Sequence, residues 1–172
     1  MLRRLLGDED FWTGVRNYVS DNLKKTVETE DFRKSLERAS GLNLSRFFDQ
    51  WLYAKGYPKL KLEYKHDATK NSVQITANQT QEDKKVGVPV FHATLKVALG
   101  LSDGTITTTS AEFNGEKAVL VAKLPEGVTV DYINVDPDVE LLFSLDFNPG
   151  EDILKNTFVK GNVSTETINC YR

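Results

Sequence analysis

The hydrophobic pattern of this chain changes near residue 58, from a helical spacing to a strict alternation. Up to that point apolar residues recur every three or four positions, which is typical of amphipathic helices. Beyond it they recur at every second position, which is typical of half-buried strands. The pattern predicts an α+β fold of about four helices, a small antiparallel β-sandwich and a short helical tail. The predicted parts are residues 1–58, 59–136 and 137–172.

Three helices are predicted before residue 42. The first ends at Gly7, and Asp8 can cap the second, whose acidic first turn favours the positive end of the helix dipole. The third follows Thr29 and ends at Gly41, which suits the left-handed position after a helix. Their apolar faces consist of Phe11, Val15, Tyr18 and Val19 in the second helix and Phe32, Leu36 and Ala39 in the third.

The segment Gly41–Pro58 predicts a fourth helix with a stop signal at each end. Asn43 is a good N-cap, Gly56 ends the helix, and Pro58 prevents it from continuing. Apolar residues cover well over half of its surface, namely Leu44, Phe47, Phe48, Trp51 and Leu52. We therefore expect this helix to be buried on several sides.

Alternating segments and turn signals follow from Lys59 onward. They predict about six short strands, and a polar loop at 78–85 between two of them. Ser102-Asp103-Gly104 and Asn114-Gly115 are hairpin signals. In the tail, residues 140–145 predict a short helical turn, and residues 153–159 predict the start of a further helix.

Composition and charge exclude several classes of protein. The chain has 172 residues and a net charge of −3, which argues against nucleic acid or an anionic membrane as the main partner. No apolar run approaches the ~18 residues that a membrane-spanning helix needs. Cys170 is the only cysteine, so an internal disulfide is impossible. A reducing compartment fits this, and we expect a cytoplasmic location, although the sequence leaves the compartment undetermined.

The residues do not predict a catalytic, cofactor-binding or metal site. A zinc hydrolase typically has two histidines one helical turn apart, with a glutamate between them. This chain has only His66 and His92, each in a predicted strand, and it has no such motif. Cys170 lies at the chain end, which is a poor place for a preorganised nucleophilic site.

Two other groups of residues have both a chemical and a structural interpretation. Paired carboxylates occur at Asp8–Asp10, at Glu82-Asp83 and at Asp136 with Asp138, and we interpret them as caps and turns. The aromatic residues of the fourth helix and the turn after it could form a ligand platform, but we interpret them as core. Tyr53 and Tyr57 are the two expected to reach the surface.

Two segments together resemble the M1 family of zinc aminopeptidases, the gluzincins. The first resembles the family segment LGDE.F..G...Y, and the match as a whole is dense over residues 1–66 and weaker, mainly architectural, to about residue 136. The second resembles T.DF....E..SG..L..FF.QW....GYP.L. Their matching residues are Leu6-Gly7-Asp8-Glu9, Phe11, Gly14 and Tyr18, then Thr29, Asp31-Phe32, Glu37, Ser40-Gly41, Leu44, Phe47-Phe48, Gln50-Trp51, Gly56-Tyr57-Pro58 and Leu60.

The resemblance implies that residues 1–58 are the end of an M1 catalytic domain and that residues 59–136 are the Ig-like sandwich after it. It also implies that the zinc ligands and the catalytic tyrosine lie before Met1, so no catalytic residue is carried over. The expected function is that of a non-catalytic scaffold in a zinc aminopeptidase, without a cofactor of its own. The expected partners are the missing N-terminal part or, through exposed helical surface, a second copy.

Two alternatives remain open at this stage. One is a fragment of an M1-like protein that lacks zinc and serves protein contacts. The other is an independent Ig-like binding module with a helical leader. The zinc motif in the preceding reading frame would favour the aminopeptidase, and its absence there would favour the first alternative. A sandwich that folds and binds a partner alone would favour the second.

Overall fold

The chain forms two compact units in a computed structural model that describes residues 1–83, 85–113 and 115–161. A helical unit spans Met1–Ala54, and a β-rich unit spans Lys55–Arg172. Cys170 and the end of the predicted tail lie outside the described residues. The α+β class, with helices first and a sandwich after them, is confirmed.

Four α-helices and one π-helical turn make up the helical unit. They are α1 (Leu2–Leu6), α2 (Asp8–Asp21), α3 (Thr29–Ser40), α4 (Ser45–Phe48) and the π-helical turn Asp49–Tyr53. A capping box starts α3, in which the Asp31 carboxylate accepts the Glu28 N–H at 3.0 Å. Gly41 ends it in the left-handed conformation, φ 71°, and donates its N–H to Glu37 O at 2.8 Å.

The predicted fourth helix is shorter than its pattern indicates. It starts at Ser45 rather than directly after Asn43, and after one α-helical turn it widens into the π-helical turn. The Asn43 side chain still acts locally, since its Oδ1 accepts the Ser45 N–H at 3.0 Å. Within it Phe48 is buried whereas Leu52 is half exposed, so the expected burial on several sides is wrong for this helix.

Seven strands lie in the described part of the second unit. They are β1 (Lys59–Asp67), β2 (Ser72–Gln79), β3 (Thr94–Leu101), β4 (Ile106–Glu112), β5 (Lys117–Lys123), β6 (Val130–Val135) and β7 (Ser144–Phe147). One sheet has the order β5-β2-β1-β7 and the other the order β4-β3-β6. A single apolar core contains residues of both sheets, so the two sheets pack face to face as a sandwich.

The sandwich differs from the prediction at β7. We expected a helical turn at 140–145 and a purely antiparallel fold, but β7 runs parallel to β1. The reason is a short alternation in which Leu145 and Phe147 point into the core while Asp146 stays exposed. Pairing with β1 buries both apolar side chains, which a single exposed helical turn would not. The later prediction of a helix is confirmed by α5 (Glu151–Lys160).

Helix α5 covers the outer edge of β6. The Thr157 hydroxyl accepts the Ile133 N–H at 3.2 Å and lies within donating distance of the carbonyls of Ile133 (3.2 Å) and Ile153 (2.8 Å). Asn134 Nδ2 donates to Gly161 O at 2.9 Å. A threonine side chain thus satisfies backbone groups that an exposed edge strand would leave unpaired.

The predicted polar loop at 78–85 contains two buried glutamines. Gln79 belongs to β2, and its amide bonds the backbone of Phe91, with Nε2 donating to the carbonyl at 2.7 Å and Oε1 accepting the N–H at 2.9 Å. Gln81 donates to Gln79 Oε1 at 2.7 Å and accepts the Lys59 N–H at 3.0 Å. These side chains satisfy the backbone where strand pairing stops, which the polar composition alone did not reveal.

Candidate functional site

Neither histidine belongs to a cluster of metal-binding side chains. His66 lies near the end of β1, and His92 lies two residues before β3 rather than within a strand; both are exposed. Across residues 1–83, 85–113 and 115–161, no group of three His, Cys, Asp or Glu side chains could hold a metal ion. The described residues therefore do not fit the zinc ion that an M1 resemblance implies.

The acidic group at the start of α2 forms a surface ion pair. Arg3 Nη2 lies 2.6 Å from Asp8 Oδ2, and Arg3 Nε donates to Asp8 Oδ1 at 2.8 Å. The hydrogen bonds from Arg3 lower the pKa of the Asp8 carboxyl. The guanidinium carbon of Arg3 also lies 5.5 Å from the centre of the Trp12 ring. A carboxylate held in this ionised form does not suit a general acid. The predicted cap at Asp8 is wrong, because Asp8 is the first residue of α2, the N-cap is Gly7, and no side chain caps this helix.

The second pair of carboxylates, at Asp136 and Asp138, supports the turn between β6 and β7. Asp136 is buried, and its two carboxylate oxygens accept the N–H groups of Glu140 (3.1 Å) and Leu141 (2.9 Å). Burial nevertheless raises the pKa of Asp136. Lys96 Nζ lies 2.7 Å from Asp138 and 3.4 Å from Glu140, so a lysine occupies the position between these carboxylates.

The third pair, Glu82-Asp83, belongs to a tight turn. Asp83 Oδ1 accepts the N–H groups of Lys85 at 2.9 Å and Val86 at 3.2 Å. The backbone of Asp83 pairs with that of Val88 in an isolated bridge. This is the role expected of an aspartate that hydrogen-bonds the backbone two residues on.

The aromatic residues of α4 and the π-helical turn are split between core and surface. Phe48 is buried and contacts Phe32 and Phe47 edge-on, with ring centres 6.4 and 6.1 Å apart. Tyr53 and Tyr57 are exposed, as predicted. A stacked ligand platform needs parallel, accessible faces, and these contacts are those of a small apolar core.

The glycine and serine that join α2 to α3 allow a close helix contact. A Cβ added at Gly14 would lie 2.7 Å from Leu36 Cδ2 and 3.0 Å from Leu36 Cα. Ser35, which is fully buried, donates its hydroxyl to Gly14 O at 3.0 Å. The resemblance named Gly14, and the structure gives the physical reason for a glycine there: a larger residue would push the helices apart.

Glu37 connects α3 with the start of α4. Its Oε1 accepts the Leu44 N–H at 2.7 Å and lies 2.6 Å from Arg33 Nη1. Arg33 also donates to Ser45 Oγ at 2.9 Å and pairs with Glu30 at 2.6 Å. The glutamate of the second resembling segment thus satisfies a backbone donor at a helix start, which is a structural role.

An open cleft of about 590 Å³ lies between α2 and α3, and sequence reasoning did not foresee it. Charged side chains of both signs line it, including Lys34 and Glu37, and two of them already pair, Arg38 with Asp21 at 3.2 Å. The pairs lie at the surface, where solvent screens them. Nothing in this arrangement selects a ligand.

Among the described residues, no helix is long and apolar enough to span a membrane.

Several known proteins are similar to this chain in sequence. Residues 1–51 match the model of the peptidase family M1 domain. Aminopeptidase N of Haemophilus influenzae is 33% identical over 110 residues, which cover 61% of this chain and 12% of that protein. Aminopeptidase 2 of Candida albicans is 25% identical over 171 residues, which cover 96% of this chain and 17% of that protein.

A solved structure has the same fold. The crystal structure of Legionella pneumophila aminopeptidase A in complex with aspartic acid matches with a TM-score of 0.66 at 16% identity. The match covers 90% of this chain and 17% of that one. The chain therefore spans less than a fifth of the length of these relatives. The domain match over residues 1–51 and the aminopeptidase relatives make this chain similar to the M1 peptidase family, and the solved structure shows that it shares their fold.

Proposed function

We propose that this chain is the non-catalytic scaffold portion of an M1-type zinc metallo-aminopeptidase. The whole protein would hydrolyse N-terminal residues from peptides, as zinc-activated water does in metallopeptidases. One observation carries the scaffold role: the family-motif side chains of the helical unit are engaged in packing and capping. Gly14 of α2 allows Leu36 of α3 to pack closely against it, and the Glu37 carboxylate accepts the Leu44 N–H.

The zinc ion of the family would belong to another part of the protein under this proposal. The described residues bring no three metal-donating side chains together. We therefore derive no catalytic step from them. Their contribution is the end of a helical domain and the sandwich that follows it.

A metal analysis with a peptidase assay tests the proposal. The purified chain, supplied with zinc and then dialysed, should retain far less than one zinc ion per chain. It should also release no chromophore from amino-acid p-nitroanilides. Aminopeptidase N of Haemophilus influenzae, purified in the same way, is the positive control. Stoichiometric zinc, or turnover that a chelator abolishes, would overturn the scaffold assignment.

The partner would be the zinc-bearing part of the catalytic domain, with a second copy of the chain as the other candidate. The support is an exposed apolar surface on the helical unit, where Trp12 is 44%, Val19 53% and Leu52 50% exposed. Such surfaces mark contact sites. Light scattering should show association that rises with concentration and that Val19→Asp weakens. A monomer at every concentration would count against the second copy.

A further inference from the structure

One face of the sandwich concentrates lysines. The outward residues of β1 include Lys59, Lys61 and Lys65, and those of β5 include Lys117 and Lys123; all five are exposed. Strand pairing places both sets on the same side, since the inward residues of β1 and β5 line the core. We call the outward surface of β5, β2, β1 and β7 the lysine face.

These five lysines have no carboxylate partner among the described residues. Other lysines of the same unit do: Lys96 pairs with Asp138, Lys155 with Glu151 and Lys160 with Asp131. The lysine face carries three carboxylates, from Glu63, Asp67 and Asp146. Asp67 is already bonded to Thr69 and paired with Lys70, at 2.6 and 3.3 Å. Positive charge is therefore in excess on one face of a chain whose net charge is −3.

The strand between the two lysine-bearing strands is uncharged. The outward residues of β2 are Ser72, Gln74, Thr76 and Asn78. Lys61, Asn78 and Lys117 lie in one row across three strands. Strands in a sheet lie about 4.8 Å apart, so this row separates the two lysine backbones by about 10 Å. A single polypeptide segment lying along β2 can reach an ammonium group on each side.

Two exposed valines distinguish a polypeptide from other polyanions. Val119 is 43% and Val121 57% exposed, and both lie on the lysine face between Lys117 and Lys123. A phosphate backbone gains nothing from aliphatic surface, whereas an acidic segment with apolar residues buries it.

We propose that the lysine face docks an acidic polypeptide segment that lies along β2. Its carboxylates would contact Lys61 and Lys117, and its apolar side chains would cover Val119 and Val121. Such a contact gains speed and specificity from charge complementarity, and added salt weakens it.

The test uses a fluorescein-labelled peptide of about fifteen residues in which glutamate alternates with leucine or serine, a length that spans a strand of this sheet. Its affinity for the intact chain is measured by fluorescence anisotropy at low and high salt. The double variant Lys61→Gln/Lys117→Gln should weaken binding about tenfold, which corresponds to about 1.4 kcal/mol. The matched control Lys155→Gln/Lys160→Gln removes the same charge from α5 and should leave the affinity within about twofold, because those lysines lie outside the docking surface.

Each other outcome contradicts the proposal. Equal losses in the two double variants would show general attraction to a polyanion. Tighter binding of a single-stranded oligonucleotide of equal charge, unaffected by Val121→Asn, would show a phosphate site. Salt-sensitive self-association lost in Lys61→Gln/Lys117→Gln would show a second copy as the occupant. As a control on folding, the unfolding temperature of every variant should equal that of the unsubstituted chain.

Discussion

The two units of this chain bury their apolar residues to very different extents. The described residues of the sandwich include eighteen buried hydrophobic residues in one core that spans both sheets. The helical unit, with residues 1–54, has a buried cluster of only four: Leu6, Leu36, Leu44 and Phe48. Since apolar burial is the main stabilising contribution to folding, the sandwich has the means to fold alone and the helical unit does not.

The exposed residues of the helical unit lead to the same conclusion. On α2 and just after it, Trp12 is 44%, Val19 53% and Leu23 67% exposed, at spacings that place them near one helix face. A neighbouring face, with Phe11 and Tyr18, contributes to the small core and its ring contacts. A helix that is apolar on two faces has two surfaces to cover, and within this unit only one is covered.

Separating the two units should give the largest effect. We expect residues 55–172 alone to unfold cooperatively in urea, because they retain the whole of their core. Residues 1–54 alone should show little helix by circular dichroism and no cooperative transition. A sharp two-state transition of the isolated helical unit would break the comparison.

Gly100→Ala should destabilise the sandwich by about 1–3 kcal/mol through overpacking. A Cβ at this position would lie 1.9 Å from a Tyr132 ring carbon, because the ring packs directly over the glycine of the paired strand. Urea unfolding of the intact chain measures the change. In the Tyr132→Ala variant, where the ring is absent, Gly100→Ala should lower the free energy of unfolding much less. An equal decrease in the original chain and in the Tyr132→Ala variant would exclude this contact as the cause.

Thr157→Val should destabilise the sandwich by about 1–3 kcal/mol, because it removes the buried hydroxyl that accepts the Ile133 N–H. The side chain keeps its shape, so packing contributes little to the change. Thr157→Ser keeps the hydroxyl and loses only a methyl group, which costs about 1 kcal/mol. If the serine variant is the less stable of the two in thermal unfolding, the hydroxyl does not have this role.

Gly14→Ala should have the smallest effect, a net destabilisation of about 1 kcal/mol. The added methyl group clashes with Leu36 at a cost of about 2 kcal/mol, of which the helix preference of alanine offsets about 1 kcal/mol. The exposed Asn17→Ala on α2 reports that helix preference alone and should be neutral or stabilising. The helical signal at 222 nm during urea unfolding distinguishes the two variants, and equal behaviour would show that the helices can separate without cost.

The local features of the chain could be predicted because they depend on neighbouring residues. Gly41 was expected in a left-handed helix end, and it has φ 71°. The alternation that begins at Leu60 predicted a strand with one buried face, and β1 has it. The absence of a site motif could also be stated from the sequence, because catalytic chemistry needs particular residue types before it needs geometry.

Distant pairings could not be predicted in this way. The parallel β7, the burial of Gln79 and the Tyr132 ring over Gly100 each join residues far apart in the chain. A polar residue looks the same in a sequence whether it faces water or satisfies a buried backbone group. The lysine face likewise exists only because β5 and β1 flank β2 in one sheet.

The sequence by itself determined that helices precede strands, where α3 ends, and the family resemblance, because periodicity, caps and motifs are properties of contiguous residues. Only the tertiary structure decided which apolar residues the chain buries itself, and which it leaves exposed on the helical unit. The physical reason is that burial depends on the elements that pack across from a residue, and the chain supplies them for the sandwich but not for one face of α2.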